Sequence, residues 1–281
     1  FQNLVLKERA IVRATQSVIV DLDVDTTPNE IKSPIRVSNE SGNPNSDGYA
    51  RWYKTNTIKQ KQDGFRTVFL TLEAGDITAN QLHAIADICR DFSSEGMGRA
   101  GFNQNIAFRY VREDDLPQLY SKLLEVGLAK SGGLTMAAPI GCSGTTSCNL
   151  ALTNSHRLAK EIQRKFLELK FDEDDDLRDS TIKISGCPNS CGQHGIATIG
   201  FFGGGGRVGK DMYPNYQMSL GGRSDGETML GVNCLRVPAK RVIPVILKII
   251  EIFKKNKKDN ETLKSWLHSV VSGNKSSEIK S

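Results

Sequence analysis

Ser185-Gly186-Cys187-Pro188-Asn189-Ser190-Cys191-Gly192 is the stretch on which the reading of this chain turns. Its two cysteines have an upstream counterpart in Gly141-Cys142-Ser143-Gly144-Thr145-Thr146-Ser147-Cys148. The pairs are Cys-x5-Cys and Cys-x3-Cys, with 38 residues between them. Zinc sites pair their ligands through tighter knuckles of about two to four residues. The x5 gap and the Cys187-Pro188 step fit zinc poorly. Four thiolates suit an iron–sulfur cube, which takes one cysteine per iron. Gly141, Gly144, Gly186 and Gly192 let backbone approach a cluster closely and donate N–H groups to its sulfurs. Cys148 is expected just before a helix, whose N-terminal dipole favours a thiolate. The plain alternative is four structural cysteines. Cys89, on an apolar helical stripe, and Cys234, alone in an expected strand, read as core residues.

Working outward, the 281 residues suggest two domains at about 150 residues each. Hydrophobic residues make up 38%, and 26 glycines bring the apolar share into the ordinary globular range. That excludes a mostly disordered chain and a mini-protein held by disulfides. Lys and Arg number 37 against 32 Asp and Glu, a net charge of +5. So mild an excess does not suggest a nucleic-acid partner. Phe1–Ala10 lacks a continuous apolar stretch, so no signal peptide is expected from it, and the longest apolar run, 242–253, contains Lys248 and Glu251. It is too short and too charged to span a bilayer. The expectation is a soluble, cytoplasmic protein with reduced thiols, in which clustered cysteines mark a metal or redox site. A chain opening at Phe1 rather than Met is expected to be a fragment or a processed product.

Periodicity supplies a coarse architecture. Gln2–Gln16 reads as a charged helix and Thr26–Gly48 as a connector. Arg66–Leu72 alternates like a strand. Thr78-Ala79-Asn80-Gln81 has the capping-box form, and Leu82, Ile85, Ala86, Cys89 and Phe92 follow at helical spacing. Asn105–Val111 alternates again, and Leu116, Leu119, Tyr120 and Leu123 form a second helical stripe that Gly127 can end. Strand, helix, strand, helix with short links suggests an α+β layer. A second unit starts near Gly132. It holds the Cys142–Cys148 loop, a helix over 150–169 and an acidic stretch, Phe171–Asp176, expected as a solvated loop. Strands over 181–185 and 196–202, the Gly203–Gly206 run, a strand through Tyr216, Met218 and Leu220, and a long helix after Pro238 complete it. Pro244 is expected in that helix's first turn. Lys254 onward reads as a frayed tail.

The two cysteine motifs resemble the sirohaem and 4Fe-4S signature of nitrite and sulfite reductases. The resemblance continues through Ile196-Ala-Thr-Ile-Gly-Phe-Phe-Gly203, Leu220-Gly-Gly-Arg223 and the helix after Pro238. Upstream, Gly101-Phe-Asn-Gln-Asn105 looks like the Asn-Gln-Asn strand of that family's ferredoxin-like half domain. Roughly residues 49–255 are covered. The implied fold is α+β: a ferredoxin-like half domain over 49–128, then a larger mixed α/β sirohaem and 4Fe-4S domain over 129–256. Residues 1–48 would be a linker from a missing N-terminal half, and 257–281 a flexible tail.

The resemblance assigns Cys142, Cys148, Cys187 and Cys191 to the cluster, with Cys191 also bridging to the sirohaem iron. Asn103, Asn105, Asn189, Arg207 and Arg223 become candidate cofactor-binding residues, with Lys210 a further cationic candidate for the carboxylates of sirohaem. His156 and His194 are candidate proton donors. The catalytic residues remain unassigned, because the basic groups that bind the anion on the distal haem face lie, by resemblance, mostly in the missing half. The implied activity is six-electron reduction of nitrite to ammonia, with ferredoxin as donor. Gln193 looks like the nitrite reductase version, since sulfite reductases more often have Arg there. An assimilatory sulfite reductase is the alternative. A 4Fe-4S electron-transfer subunit without sirohaem and a structural zinc module belong to other classes. No dinucleotide fingerprint accompanies the Gly203–Gly206 run.

Overall fold

A computed structural model of the chain describes residues 47–226 and 228–273. The expected helix over 2–16 and all of the connector but Asp47 and Gly48 lie outside the described residues. Those two residues open helix α1 (Asp47–Asn56), whose Trp52 is fully buried. Strands β1 (Thr57–Lys59), β2 (Phe65–Leu70), β3 (Gly98–Ala100) and β4 (Ile106–Arg112) form a sheet in the order β1-β2-β4-β3. Every pairing in it is antiparallel. Helix α2 (Ala79–Phe92) begins at Thr78 with the anticipated capping box. The Gln81 N–H donates to Thr78 Oγ1 at 3.2 Å, and Gln81 Oε1 accepts from the Thr78 N–H at 3.1 Å. It buries Ile85, Ile88, Cys89 and Phe92, while Leu82 is exposed. Helix α3 (Leu116–Glu125) buries Leu116, Leu119, Tyr120 and Leu123, and Gly127 leaves it at φ +69°. These faces close one core with Val68, Leu70, Phe108 and Val111.

The second core rests on a mixed sheet. Strand β5 (Ile140–Gly141) runs parallel to β6 (Ile182–Ser185), and β6 runs parallel to β7 (Ile199–Val208). Strands β8 (Asp211–Leu220) and β11 (Val232–Pro238) continue it antiparallel, giving the order β11-β8-β7-β6-β5. A small ribbon, β9 (Arg223–Ser224) with β10 (Thr228–Met229), lies between them in sequence. The glycine run 203–206 lies inside β7, not after it. The pairing of β7 with β8 is continuous from Ile199↔Leu220 to Val208↔Asp211 and needs only backbone. Strand β11 forms an edge, and Val232–Arg236 are all exposed along it, Cys234 included. Cys234 is therefore not the core residue expected of it.

Helix α4 (Ser155–Glu168) starts five residues later than the apolar pattern suggests. Asn154 caps it, accepting the Arg157 N–H at 2.9 Å. The intervening chain is committed elsewhere: the Leu152 and Thr153 N–H groups donate to Gly186 O, at 2.8 and 3.1 Å. Helix α5 (Val242–Asn256), with Pro244 in its first turn, buries Val242, Ile246, Ile250 and Phe253. The chain does not fray after Lys254. Helix α6 (Leu263–Val271), capped by Thr262 and Ser265, buries Leu263, Trp266, Leu267 and Val270 in the same core. The tail expected over 257–281 is thus ordered structure as far as the described residues go.

The acidic stretch 171–176 is also more than a solvated loop. Asp172 is 2% exposed, accepts from Arg51 Nε at 2.5 Å and from Ser131 Oγ at 2.9 Å, and makes a second bond to the same guanidinium. Lys254 donates to Asp174 and Asp176. Arg51 belongs to α1, so the first pair ties the ferredoxin-like part to the larger one. Among the described residues no helix is long and apolar enough to cross a membrane. If α6 is integral to the core, Trp266→Ala should cost about 3–5 kcal/mol, as for a large buried aromatic side chain. Urea denaturation of the purified chain reads this, and a midpoint equal to wild type would mean that α6 does not hold the core.

Candidate cofactor-binding site

Both cysteine loops leave the carboxyl ends of neighbouring parallel strands. Cys142 follows β5 directly, and Cys187 stands two residues beyond β6. The register Gly141↔Ile184 and the Cys142 N–H bond to Ile184 O, at 3.0 Å, set the loops side by side. Ligands in open α/β sheets gather at such strand ends. The loops then bind each other. The Gly186 N–H donates to Cys142 Sγ at 3.1 Å, and Gly186 O accepts from Leu152 and Thr153. A Cβ on Gly186 would come within 2.9 Å of Gly144 Cα and 3.0 Å of Thr153 O. A Cβ on Gly203 would collide with Thr153 Oγ1 and Gly186 O. Glycine is required at both positions because backbone lies where a side chain would stand.

Around Cys142 the sulfur meets Ser155 Oγ at 3.1 Å, while that hydroxyl donates to Cys142 O at 2.8 Å. Tyr216 is buried beside Thr153 and Cys142, and burial pushes its phenol up to about 12. Beyond Cys191 the chain folds back over β6. The Gly192 N–H donates to Ser185 Oγ at 3.1 Å, and His194 Nδ1 lies 2.9 Å from the same oxygen. Ser190 and Gln193 take left-handed conformations, φ +63° and +57°. Lys183 Nζ donates to Gln193 Oε1 at 2.8 Å.

Residues 58–126 match the family described as the nitrite/sulfite reductase ferredoxin-like half domain, and residues 132–271 match the nitrite and sulphite reductase 4Fe-4S domain. The chain belongs to the nitrite/sulfite reductase family. It is 29% identical over 196 residues to a ferredoxin–nitrite reductase of Synechococcus elongatus, covering 69% of this chain and 37% of that one. An assimilatory ferredoxin-dependent nitrite reductase of Haloferax mediterranei is 25% identical over 253 residues, covering 90% of this chain and 42% of the relative. Sulfite reductases are also among the relatives. The chain therefore spans about two-fifths of the length of these two nitrite reductases. The solved structure of Mycobacterium tuberculosis NirA shares the fold, with a TM-score of 0.63 at 22% identity, over 75% of this chain and 39% of that one.

Reductases of this family carry a 4Fe-4S cluster and sirohaem, and residues 132–271 are the family's 4Fe-4S domain. The residues present fit a cluster by donor chemistry: four thiols on two loops locked together at glycine. Among the described residues no three Cys, His, Asp or Glu side chains already converge as a metal site. Cys148 and Cys191 are exposed, Cys142 is half-buried and Cys187 is buried. Cys148 is not at a helix start, since α4 begins at Ser155, so the dipole argument for its thiolate does not hold. Cys89 is a core thiol, pushed by burial up to about 12 and far from thiolate chemistry.

The remaining candidates divide. Asn189 is exposed in the ligand loop, and Arg207 and Lys210 are exposed toward the tip of the β7–β8 hairpin. Arg223 bonds Asp225 Oδ1 at 3.0 Å. Asn105 is 4% exposed and braces backbone: it accepts from the Leu72 N–H at 2.9 Å and donates to Gly133 O at 3.3 Å. Asn103 Oδ1 accepts the Asn105 N–H at 3.3 Å and shapes the turn. The middle residue, Gln104, touches the site instead. Its amide accepts from the Gly141 N–H at 3.0 Å and donates to Gly141 O at 2.8 Å, in the manner of a neighbouring strand. His156 pairs with Asp76 at 2.9 Å, joined there by Lys160, so its ring serves a bridge between the two parts.

Gln104, Ser155, Lys183, Ser185 and Tyr216 were not singled out from sequence. Three of them carry a readable signal, a polar residue at a buried strand position. Burial holds the His194 imidazole below its ordinary range. The unfolded chain gains a proton near pH 6.5 that the folded chain resists. Stability is therefore lost as pH falls below about 6.5, by at most about 1.4 kcal/mol per pH unit. Urea melts of the metal-free protein between pH 7.5 and 5.5 measure the slope, and His194→Gln should reduce it. An unchanged slope would place the pH dependence elsewhere.

Proposed function

We propose that this chain is the cluster- and sirohaem-bearing part of a ferredoxin-dependent nitrite reductase, which reduces nitrite to ammonia by six electrons. The observation that carries this reading is the joining of the Cys142–Cys148 and Cys187–Cys191 loops at the carboxyl ends of β5 and β6. Cys142, Cys148, Cys187 and Cys191 are the proposed cluster ligands, and Cys191, exposed at the loop end, is the proposed bridge to the haem iron. Held by these residues, the cluster and sirohaem would supply single-electron transfer to the substrate anion.

The chain's own residues bind and orient. The Gly186 N–H donates to Cys142 Sγ and tempers its charge, while the Ser155 hydroxyl holds the Cys142 carbonyl. The pairing of Gly203–Gly206 with β8 extends β7 past the end of β6 as a ribbon without side chains on that strand. Such a wall suits a flat macrocycle, and the Arg207 and Lys210 cations beyond it suit its carboxylates. Asn189, and Arg223 if it leaves Asp225, are further partners for the macrocycle. Basic residues that hold the substrate anion on the distal face are assigned to a companion half of the enzyme. Ferredoxin, an acidic carrier, suits a chain of net charge +5.

Gln193 and the nitrite reductase relatives favour nitrite over sulfite, and sulfite reductase relatives keep sulfite as the second reading. The test is steady-state reduction by the complete gene product with ferredoxin or reduced viologen. Nitrite should give the higher kcat/KM, and a clear sulfite preference would reverse the assignment. The visible spectrum should carry Soret and long-wavelength macrocycle bands. Broad sulfur-to-iron absorption alone would favour an electron-transfer subunit, and one zinc without iron would favour a structural module. Cys191→Ser should perturb cluster and haem signals together.

A further inference from the structure

Lys183 is a buried cation with no carboxylate partner among the described residues. It occupies the second position of β6 and is 6% exposed. Its ammonium donates to Gln193 Oε1 at 2.8 Å, and no carboxylate among the described residues pairs with it. By contrast, Asp172 has Arg51 and Ser131, and the enclosed Glu95 carboxylate has Arg99 and Arg109. An ammonium buried beside a neutral amide alone is costly, and such groups are ordinarily paired.

Its surroundings say what the charge serves. Strand alternation puts Lys183 on the same face of β6 as Ser185. The turn after Cys191 closes over that face, through the Gly192 N–H on Ser185 and through Gln193 on Lys183. The residue opposite on β7 is Gly200, where the His194 carbonyl oxygen and Ser219 Oγ stand in the place of a side chain, so the same turn also packs against β7. Lys183 thus supports the turn that carries Cys191 and brings a positive charge to it.

We propose that Lys183 is the counter-charge of the cluster held by Cys187 and Cys191, a positioning residue that anchors the Cys191 turn through Gln193 and favours the reduced cluster. This rests on the cluster reading above. One-electron reduction by an external donor adds one negative charge to an already anionic cluster, and a nearby fixed cation lowers the cost of that step.

The experiment is an EPR-monitored redox titration of the loaded, complete enzyme, with thermal melting of the metal-free protein beside it. Lys183→Met should move the cluster midpoint to a more negative potential and raise the metal-free melting temperature, because the uncompensated charge is gone. Lys183→Arg keeps the charge and should keep the potential. Gln193→Glu places a carboxylate on the ammonium and should also move the midpoint negative, which provides a test if Lys183→Met does not fold. An unmoved midpoint in both neutralised variants overturns the proposal. So does Lys183→Arg shifting as far as Lys183→Met, which would mean shape and not charge. Wild-type enzyme that binds no iron overturns the cluster reading and this proposal with it, whereas an iron-loaded enzyme with an unmoved midpoint overturns this proposal alone.

Discussion

Two residue pairs of parallel strand, Ile140↔Lys183 and Gly141↔Ile184, hold everything at the site in place. So short a ladder has little strength of its own, and the chain reinforces it from both sides. Gln104 grips the free edge at Gly141 with a side-chain amide acting as a strand. Across the sheet, β6 is secured by four parallel pairs with β7. The loops can meet at Gly186 only while that register holds. A slip of one residue in β5 would turn Cys142 to the opposite face and break its N–H bond to Ile184 O.

Three of the contacts that couple the two cores are chemically different. One is the buried Arg51–Asp172 ion pair, the second is Gln104 on Gly141, and the third is Asp76 with His156 and Lys160. The first is the strongest constraint, because breaking a buried pair leaves an uncompensated charge, at about 3–5 kcal/mol. The third is more exposed and contributes little. Positioning of the ferredoxin-like part is therefore tied most tightly to the strand that leads into Cys142 and to the loop after α4.

Much of this was legible in the chain. The capping box at Thr78, the stripes of α2 and α3, the strand alternation and the double cysteine motif all depend on local rules, and each stands where the pattern put it. The departures come from long-range partners. The pattern over 150–154 looks helical, but Gly186 O takes the Leu152 and Thr153 N–H groups. Phe171–Asp176 looks solvated, but Arg51 and Lys254 come from far along the chain. The tail looks frayed, but Trp266 finds Phe253 at 5.7 Å between ring centres. At the site, the motif named the thiols, and nothing local revealed that Gln104, not its two asparagine neighbours, reaches the ligand loop.

The edge position of β11 has a consequence for handling the molecule. From Val232 to Arg236 its residues are exposed, and Leu230, Val232 and Leu235 make much of that surface greasy. An outer strand of this kind is a template for any passing extended chain, and Arg236 and Pro238 are its main deterrents. In a preparation of the isolated polypeptide, this strip is where chain-to-chain ladder pairing is expected to begin.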